Sequence, residues 1–298
     1  MKKALAIDVG GTKIYSTIVN ENGEIVGKIE KHHTPKTFEE IKSLFEEIIS
    51  RYENDVDVIA FATCGAVNNS NDGIIGSTGN IAKEYPSMNF PALSKKKVFV
   101  ENDADAAAWA EYIIGSSKGM PNSVMITLGT GVGGGIILNN RLFKGKSGAA
   151  GEMHFKMRTD KHRKCTCGSW DCFEAYASGT GLKRTAEELS GNPDITTYDV
   201  IDGWKQGDEL MTKIFNKWQD DILAGLIGLA NLLDVDVFVL SGSMAEFVDE
   251  NYLTEAVNRE IVTSPTKVVK GSAGNYSGMI GVALLAMGKG VGDCNGQG

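Results

Sequence analysis

The sequence predicts an α/β protein of two domains of related design, and three observations carry that prediction. Short apolar runs rich in β-branched residues alternate with segments of helical apolar spacing, the pattern of strands layered with helices. A strand–glycine turn–strand hairpin occurs near residues 5–19 and again near 123–138, although the two sequences are not repeats of each other. Glycine is abundant, 36 of 298 residues, while proline numbers only 6. That combination points to tight turns and close backbone approaches rather than to a linker or a collagen-like chain.

Residues 3–9 (KALAIDV) and IYSTIV (14–19) flank Gly10-Gly11-Thr12-Lys13 and read as two strands joined by a glycine turn. Glu21-Asn22-Gly23 is the next hairpin signal, so EIVGKIE (24–30) reads as a third strand. Over 37–52, Phe38, Ile41, Phe45, Ile48 and Ile49 fall at helical spacing, with Thr37 as N-cap. VDVIAFAT (56–63) is a buried strand, and KKVFVEND (96–103) is another that ends in carboxylates before the alanine-rich helix ADAAAWAEYII. SVMITL (123–128) runs into a glycine-rich segment, after which IIL resumes the strand. Residues 144–174 are polar, cysteine-bearing and irregular; 208–233 read as a long helix. VDVFVL (235–240) is a buried strand ending at Ser241-Gly242-Ser243, SGMIGVALLAMGKG closes the fold as a helix, and VGDCNGQG reads as frayed. The expected domains are 1–115, joined by the C-terminal helix from about 280 onward, and 116–279, which carries the cysteines.

Composition narrows the function classes. Thirty basic against 38 acidic side chains give a net charge of −8, which argues against a binder of the nucleic-acid backbone, whose affinity needs a basic face. No apolar run approaches the roughly 20 residues of a membrane helix. The apolar stretch after Met1-Lys2-Lys3 is cut by Asp8, so no signal-peptide core is read and a cytoplasmic location is expected, without membrane partners.

Four segments carry chemistry. In Asp8-x-Gly10-Gly11-Thr12-Lys13, glycines between two strands let backbone N–H groups close on an anion, and a carboxylate at the strand end suits a magnesium-bound water; a plain hairpin turn is the alternative. Gly129-Thr130-Gly131-Val132-Gly133-Gly134-Gly135 has more glycine than a tight turn needs, which suits a second phosphate cradle. No Gly-Lys-Ser/Thr follows it, so it is not a Walker loop. Glu101-Asn102-Asp103 stands at a strand end, where an aspartate takes a hydroxyl proton in phosphoryl transfer; the same residues also read as a helix cap. Among the five cysteines, Cys165, Cys167 and Cys172 fall within eight residues, near His154 and His162, a density that favours metal in a reducing compartment. Three unligated thiols are the alternative. Cys64 reads as packing and Cys294 as an exposed thiol.

Taken in order, DVGGTK, VENDADAAAWAE, GTGVGGG, GAAGE, CTCGSWDCFEAYASG and VFVLSG resemble the ROK family of sugar kinases and cover most of the chain. The resemblance implies an actin-like ATPase (ribonuclease H-like) fold, two α/β domains about a central cleft. It implies Asp103 as the catalytic base and Gly65, Thr78, Asn102, Glu152, His154 and Glu174 as sugar contacts. It assigns Asp8, Gly10, Gly11, Thr12, Lys13, Gly129, Thr130, Gly131, Gly133, Gly134 and Gly242 to ATP. The implied cofactors are ATP and magnesium, with zinc on Cys165, Cys167 and Cys172 and a fourth ligand from His154, His162 or water unless the thiols hold nothing, and the implied assembly is a homodimer. NDADAAAWAE, Ser77-Thr78 and YSGMIGVALLAMG are similar to the subgroup that phosphorylates the C6 hydroxyl of N-acetylmannosamine in amino-sugar (sialic acid) breakdown. Glucose or another N-acetylhexosamine is the runner-up. The family's repressors carry an N-terminal helix-turn-helix, for which a first strand at residue 3 leaves no room.

One departure stands out. The family reads Gly-Glu-Ile-Gly-His, whereas this chain reads Gly151-Glu152-Met153-His154-Phe155, with Phe155 in the histidine's place. His154 serves the metal and the sugar only if the loop adjusts by one residue.

Overall fold

The computed structural model describes residues 1–76, 79 and 81–289; the readings for Thr78, Cys294 and the terminal VGDCNGQG fall outside them. Lys3–Val9 (β1) and Lys13–Asn20 (β2) pair antiparallel through Val9↔Ile14. The third strand is Glu30–His33 (β3), later than the expected 24–30. Val26 and Gly27 both donate to the carbonyl of Ile18, at 2.9 and 3.2 Å, so the chain bulges away from β2. Of the expected strand, Ile25 forms an isolated bridge with Val19, and ladder pairing resumes at Ser16↔Glu30. Phe38–Tyr52 (α1) starts at a capping box in which Thr37 and Glu40 satisfy each other's backbone N–H. Val58–Thr63 (β4) and Val98–Asn102 (β5) follow, and Asp103–Ile113 (α2) begins where β5 ends.

Ser123–Leu128 (β6), Val132–Leu138 (β7) and Arg141–Leu142 (β8) come next. Then come Glu174–Ala177 (α3), Gly179–Ser190 (α4), Thr197–Lys205 (α5) and Glu209–Leu233 (α6). Val237–Ser241 (β9), Glu250–Glu260 (α7), Lys267–Lys270 (β10) and Ser277–Ala286 (α8) complete the described chain. The first sheet has the order β3-β2-β1-β4-β5 and the second β8-β7-β6-β9-β10. The topology is therefore repeated: a hairpin strand and a short third strand on one side, two further strands, parallel to their neighbours, on the other. The chain divides into two units, one of Met1–Pro121, Gly135–Gly151 and the segment from Ser272, the other of Asn122–Gly134 and Glu152–Gly271.

The core of the first unit follows from strand alternation. Leu5, Ile7, Val9, Ile59 and Phe61 face α1, packed with Ile41, Phe45 and Ile48. The opposite face presents small residues, Ala4, Ala6, Ala60 and Ala62, to α8 and Ala106 of α2. Small side chains there let two helices lie close to the sheet and to each other. Gly281 marks the tightest point, because a Cβ on it would stand 1.7 Å from the Ala106 carbonyl oxygen. Gly281→Ala gains about 1 kcal/mol of helix propensity but forces α2 and α8 apart, an overpacking cost of about 3 kcal/mol. The net expected result is a lower urea midpoint; an unchanged or higher midpoint would contradict this packing.

Candidate active site

In the first unit the register of three parallel strands brings together residues far apart in sequence. Asp8 pairs with Ala62, Val9 with Thr63 and Thr63 with Asn102, so β1, β4 and β5 end side by side. Carboxyl ends of parallel strands are where α/β proteins gather ligands. Asp8, Cys64, Gly65, Asn102 and Asp103 stand along that edge. Half-buried Asp8 has a pKa pushed up to about 7, first by desolvation and then by the negative charge of Asp103. The Cys64 thiol is pushed up to about 12, by burial and then by Asp103, which leaves it protonated and unreactive.

Asn102 caps α2: its Oδ1 accepts from the N–H groups of Ala104 and Asp105 at 2.9 and 3.1 Å. Its Nδ2 donates to the Gly65 carbonyl at 3.1 Å, so the same side chain also fixes the turn after β4. The capping reading is thus correct, and a sugar contact by Asn102 is left with its second Nδ2 proton. Asp103 is exposed at the first helical position, one carboxylate oxygen accepting from Ala104 N–H at 2.9 Å. Behind them Glu101, 1% exposed, accepts from Lys144 Nζ at 2.8 and 2.9 Å, from Asn71 Nδ2 at 2.8 Å and from Asn102 N–H at 2.9 Å. Sequence reasoning missed Lys144 and Asn71, since nothing in the local pattern ties residues 43 and 30 positions away to Glu101. In the Gly10–Lys13 turn, Gly10 N–H donates to the Lys13 carbonyl at 3.0 Å, and Thr34 braces it by donating to Gly10 O at 2.6 Å.

In the second unit β6 and β9 pair through Thr127↔Ser241, which places the 129–134 turn beside Gly242. Gly242 is left-handed (φ 88°), and a Cβ there would meet the Leu128 carbonyl oxygen at 2.4 Å. Next to these turns lies a cavity of about 430 Å³, walled by Gly129, Thr130, Thr180, Tyr198, Met244 and Phe247. Helices α4 and α5, which supply half of that wall, were not anticipated from the sequence.

Glu174 opens α3 and is 9% exposed. Burial alone would raise its pKa, but hydrogen bonds from Thr166, Val132 N–H and Cys165 hold it below the usual range. Glu152 is exposed, 4.0 Å from His154 Nε2. The ligand atoms of His154, Cys165, Cys167 and Cys172 all lie within 4.8 Å of one another. The Cys167–Cys172 Sγ distance is 3.6 Å and Cys165 Sγ–His154 Nδ1 is 3.8 Å, close to the edge of about 3.8 Å that Zn–S bonds of 2.3 Å give a tetrahedron. In this loop Met153 is left-handed, with φ of 48°, and His154 rather than Phe155 lies with the cysteines. Phe155 instead stacks on buried Phe173, with centroids 4.9 Å apart. His162 lies outside the cluster, against Glu188 at 3.2 Å.

The ROK family profile matches residues 4–289. The chain belongs to the ROK family. It is 32% identical over 293 residues to an N-acetylmannosamine kinase of Yersinia pseudotuberculosis, covering 96% of this chain and 99% of that one. It is 31% identical over 312 residues to a glucokinase of Streptomyces coelicolor, covering 96% and 98%. A ROK glucokinase from Streptomyces griseus, solved with glucose and AMPPNP, superposes with a TM-score of 0.76 at 29% identity, over 96% of this chain and 99% of that one. The protein is a ROK sugar kinase with the actin-like ATPase fold, acting on a sugar and ATP. Among the described residues no helix is long and apolar enough to cross a membrane.

Proposed function

We propose that the protein transfers the γ-phosphate of ATP to the C6 hydroxyl of N-acetylmannosamine. The observation that carries the reaction is Asp103, an exposed carboxylate on the α2 N-terminus beside Asp8 and the Gly65 turn. The sugar is argued from the Yersinia relative, at 32% identity over 96% of the chain. Glucose is the second reading, because the Streptomyces coelicolor glucokinase is nearly as similar at 31%.

In this reading Asp103 takes the proton of the attacking hydroxyl, and the Asn102 cap with its Gly65 bond fixes where that carboxylate points. Glu152 and Glu174 accept bonds from ring hydroxyls. The turns at 10–13 and 129–134 present backbone N–H groups to the phosphates. The cavity beside Gly242 takes adenosine, with Tyr198, Met244 and Phe247 as apolar walls. Asp8, whose carboxyl is costly to ionise because of burial and the nearby negative charge of Asp103, suits a magnesium-bound water. Magnesium there would neutralise phosphate charge during transfer. Zinc on His154, Cys165, Cys167 and Cys172 would be structural, tying the 152–174 loop to α3.

ADP release from ATP and magnesium over a panel of N-acetylmannosamine, N-acetylglucosamine, glucose, mannose and fructose tests the substrate. Preference for glucose discards the sugar assignment and keeps the chemistry. For the metal, elemental analysis is expected to give about one zinc per chain, and chelation to lower the melting temperature by several degrees. Zinc-free protein from zinc-supplemented culture would retire that site.

A further inference from the structure

The carboxylate of Glu174 touches two different parts of the second unit. Its Oε1 accepts from the Thr166 hydroxyl and lies 3.3 Å from Cys165 Sγ. Its Oε2 accepts from Val132 N–H at 3.1 Å, inside the 129–134 turn. Gly131 explains itself on the same grounds: a Cβ there would stand 2.7 Å from Glu174 Oε2, so the carboxylate fills the space a side chain would take. The turn is held from its other flank by the same stretch of chain, since Gly179 N–H donates to Gly129 O at 2.8 Å and Thr180 Oγ1 to Thr130 O at 2.7 Å. Within the turn Gly129 N–H donates to Gly131 O at 3.0 Å, and Gly133 N–H donates to Thr127 Oγ1 of β6 at 3.0 Å.

We propose that Glu174 is a positioning residue for the phosphate turn, beyond its proposed contact with the sugar, and that it couples the affinities of the two substrates. The proposal rests on reading 129–134 as the phosphate turn. A sugar hydroxyl on Glu174 restrains the carboxylate, the carboxylate fixes the Val132 amide, and the fixed turn meets the phosphates without further ordering. Coupling of this kind is reciprocal, sugar and nucleotide each changing the other's affinity by the same factor; because it runs through Glu174, a change in the turn is expected to alter sugar affinity and a change at Glu174 to alter nucleotide affinity. A residue that only bound sugar would leave nucleotide affinity unchanged.

Calorimetry with AMPPNP and magnesium, without sugar, tests it. Glu174→Ala is expected to weaken AMPPNP about 10-fold, the loss of one hydrogen bond to a charged acceptor. Glu174→Gln, which keeps an oxygen for Val132 N–H, is expected to restore most of that affinity. Gly131→Ala leaves Glu174 in place but pushes a Cβ against its carboxylate, and is expected to weaken binding of the preferred sugar measured without nucleotide. AMPPNP binding by folded Glu174→Ala within twofold of the unaltered protein overturns the proposal. If Glu174→Ala does not fold, Gly131→Ala decides, and unchanged sugar affinity there overturns it equally. Failure of the unaltered protein to bind AMPPNP overturns the phosphate-turn reading itself, and this proposal with it.

Discussion

Asp103→Asn is expected to lower kcat by about 100- to 10,000-fold, the usual contribution of a positioned general base. Binding of sugar and nucleotide should stay close to normal. The reason is local: Asp103 opens α2 with one oxygen on Ala104 N–H at 2.9 Å, a bond an asparagine Oδ1 also makes. The helix is capped by Asn102 rather than by Asp103, so the fold does not depend on the charge. Only proton acceptance is removed. Steady-state kinetics with calorimetric affinities for each substrate separate the two quantities. A kcat within tenfold of the unaltered protein would remove Asp103 from the base position, and a loss confined to KM would make it a binding residue.

Much of this site was legible because its signals are local. The β1 and β6 hairpins, the carboxylates at the end of β5 and the three clustered cysteines each announce themselves within one short continuous stretch of chain. What was not legible depends on partners brought from elsewhere. The misplaced third strand shows this: EIVGKIE has strand composition, but two amides sharing the Ile18 carbonyl shift the ladder to Glu30. The glycine run was read as room for phosphate alone. Its Gly131 makes room for the Glu174 carboxylate, and its Gly135 for α2, where a Cβ would meet the Ala108 Cβ at 2.6 Å. The loop before Phe155 contains a left-handed Met153, a conformation that no residue type at that position advertises. The cavity wall came from α4 and α5, helices whose short amphipathic pattern carried no motif.

Asp8→Asn is expected to stabilise the protein at pH 8 and to change it little at pH 4. In the folded protein Asp8 titrates near 7, against an ordinary value of 3.8. Between those values the folded state holds a proton the unfolded chain has released, so stability falls as pH rises through that window. At pH 4 the unfolded carboxyl is about half ionised and most of the cost is gone; only below about pH 3 is the group largely neutral in both states, and there the cost vanishes. Above pH 7 the cost is fully present, on the order of 3 kcal/mol after allowing for partial exposure. An asparagine of the same shape never ionises and escapes it. Urea midpoints of the two proteins should therefore separate progressively from pH 4 to pH 8, and a constant offset across that range would show that Asp8 is not the titrating group. In Asp103→Asn the window should move toward acid without closing, because desolvation is the larger cause and Asp103 the smaller. The same instability is what a cation would relieve: magnesium with AMPPNP should raise the melting temperature of the unaltered protein more at pH 8 than at pH 5.5, and that pH dependence should be lost in Asp8→Asn. A carboxylate held at the cost of folding stability is expected where binding needs its charge, so the gain in stability should come with a fall in turnover.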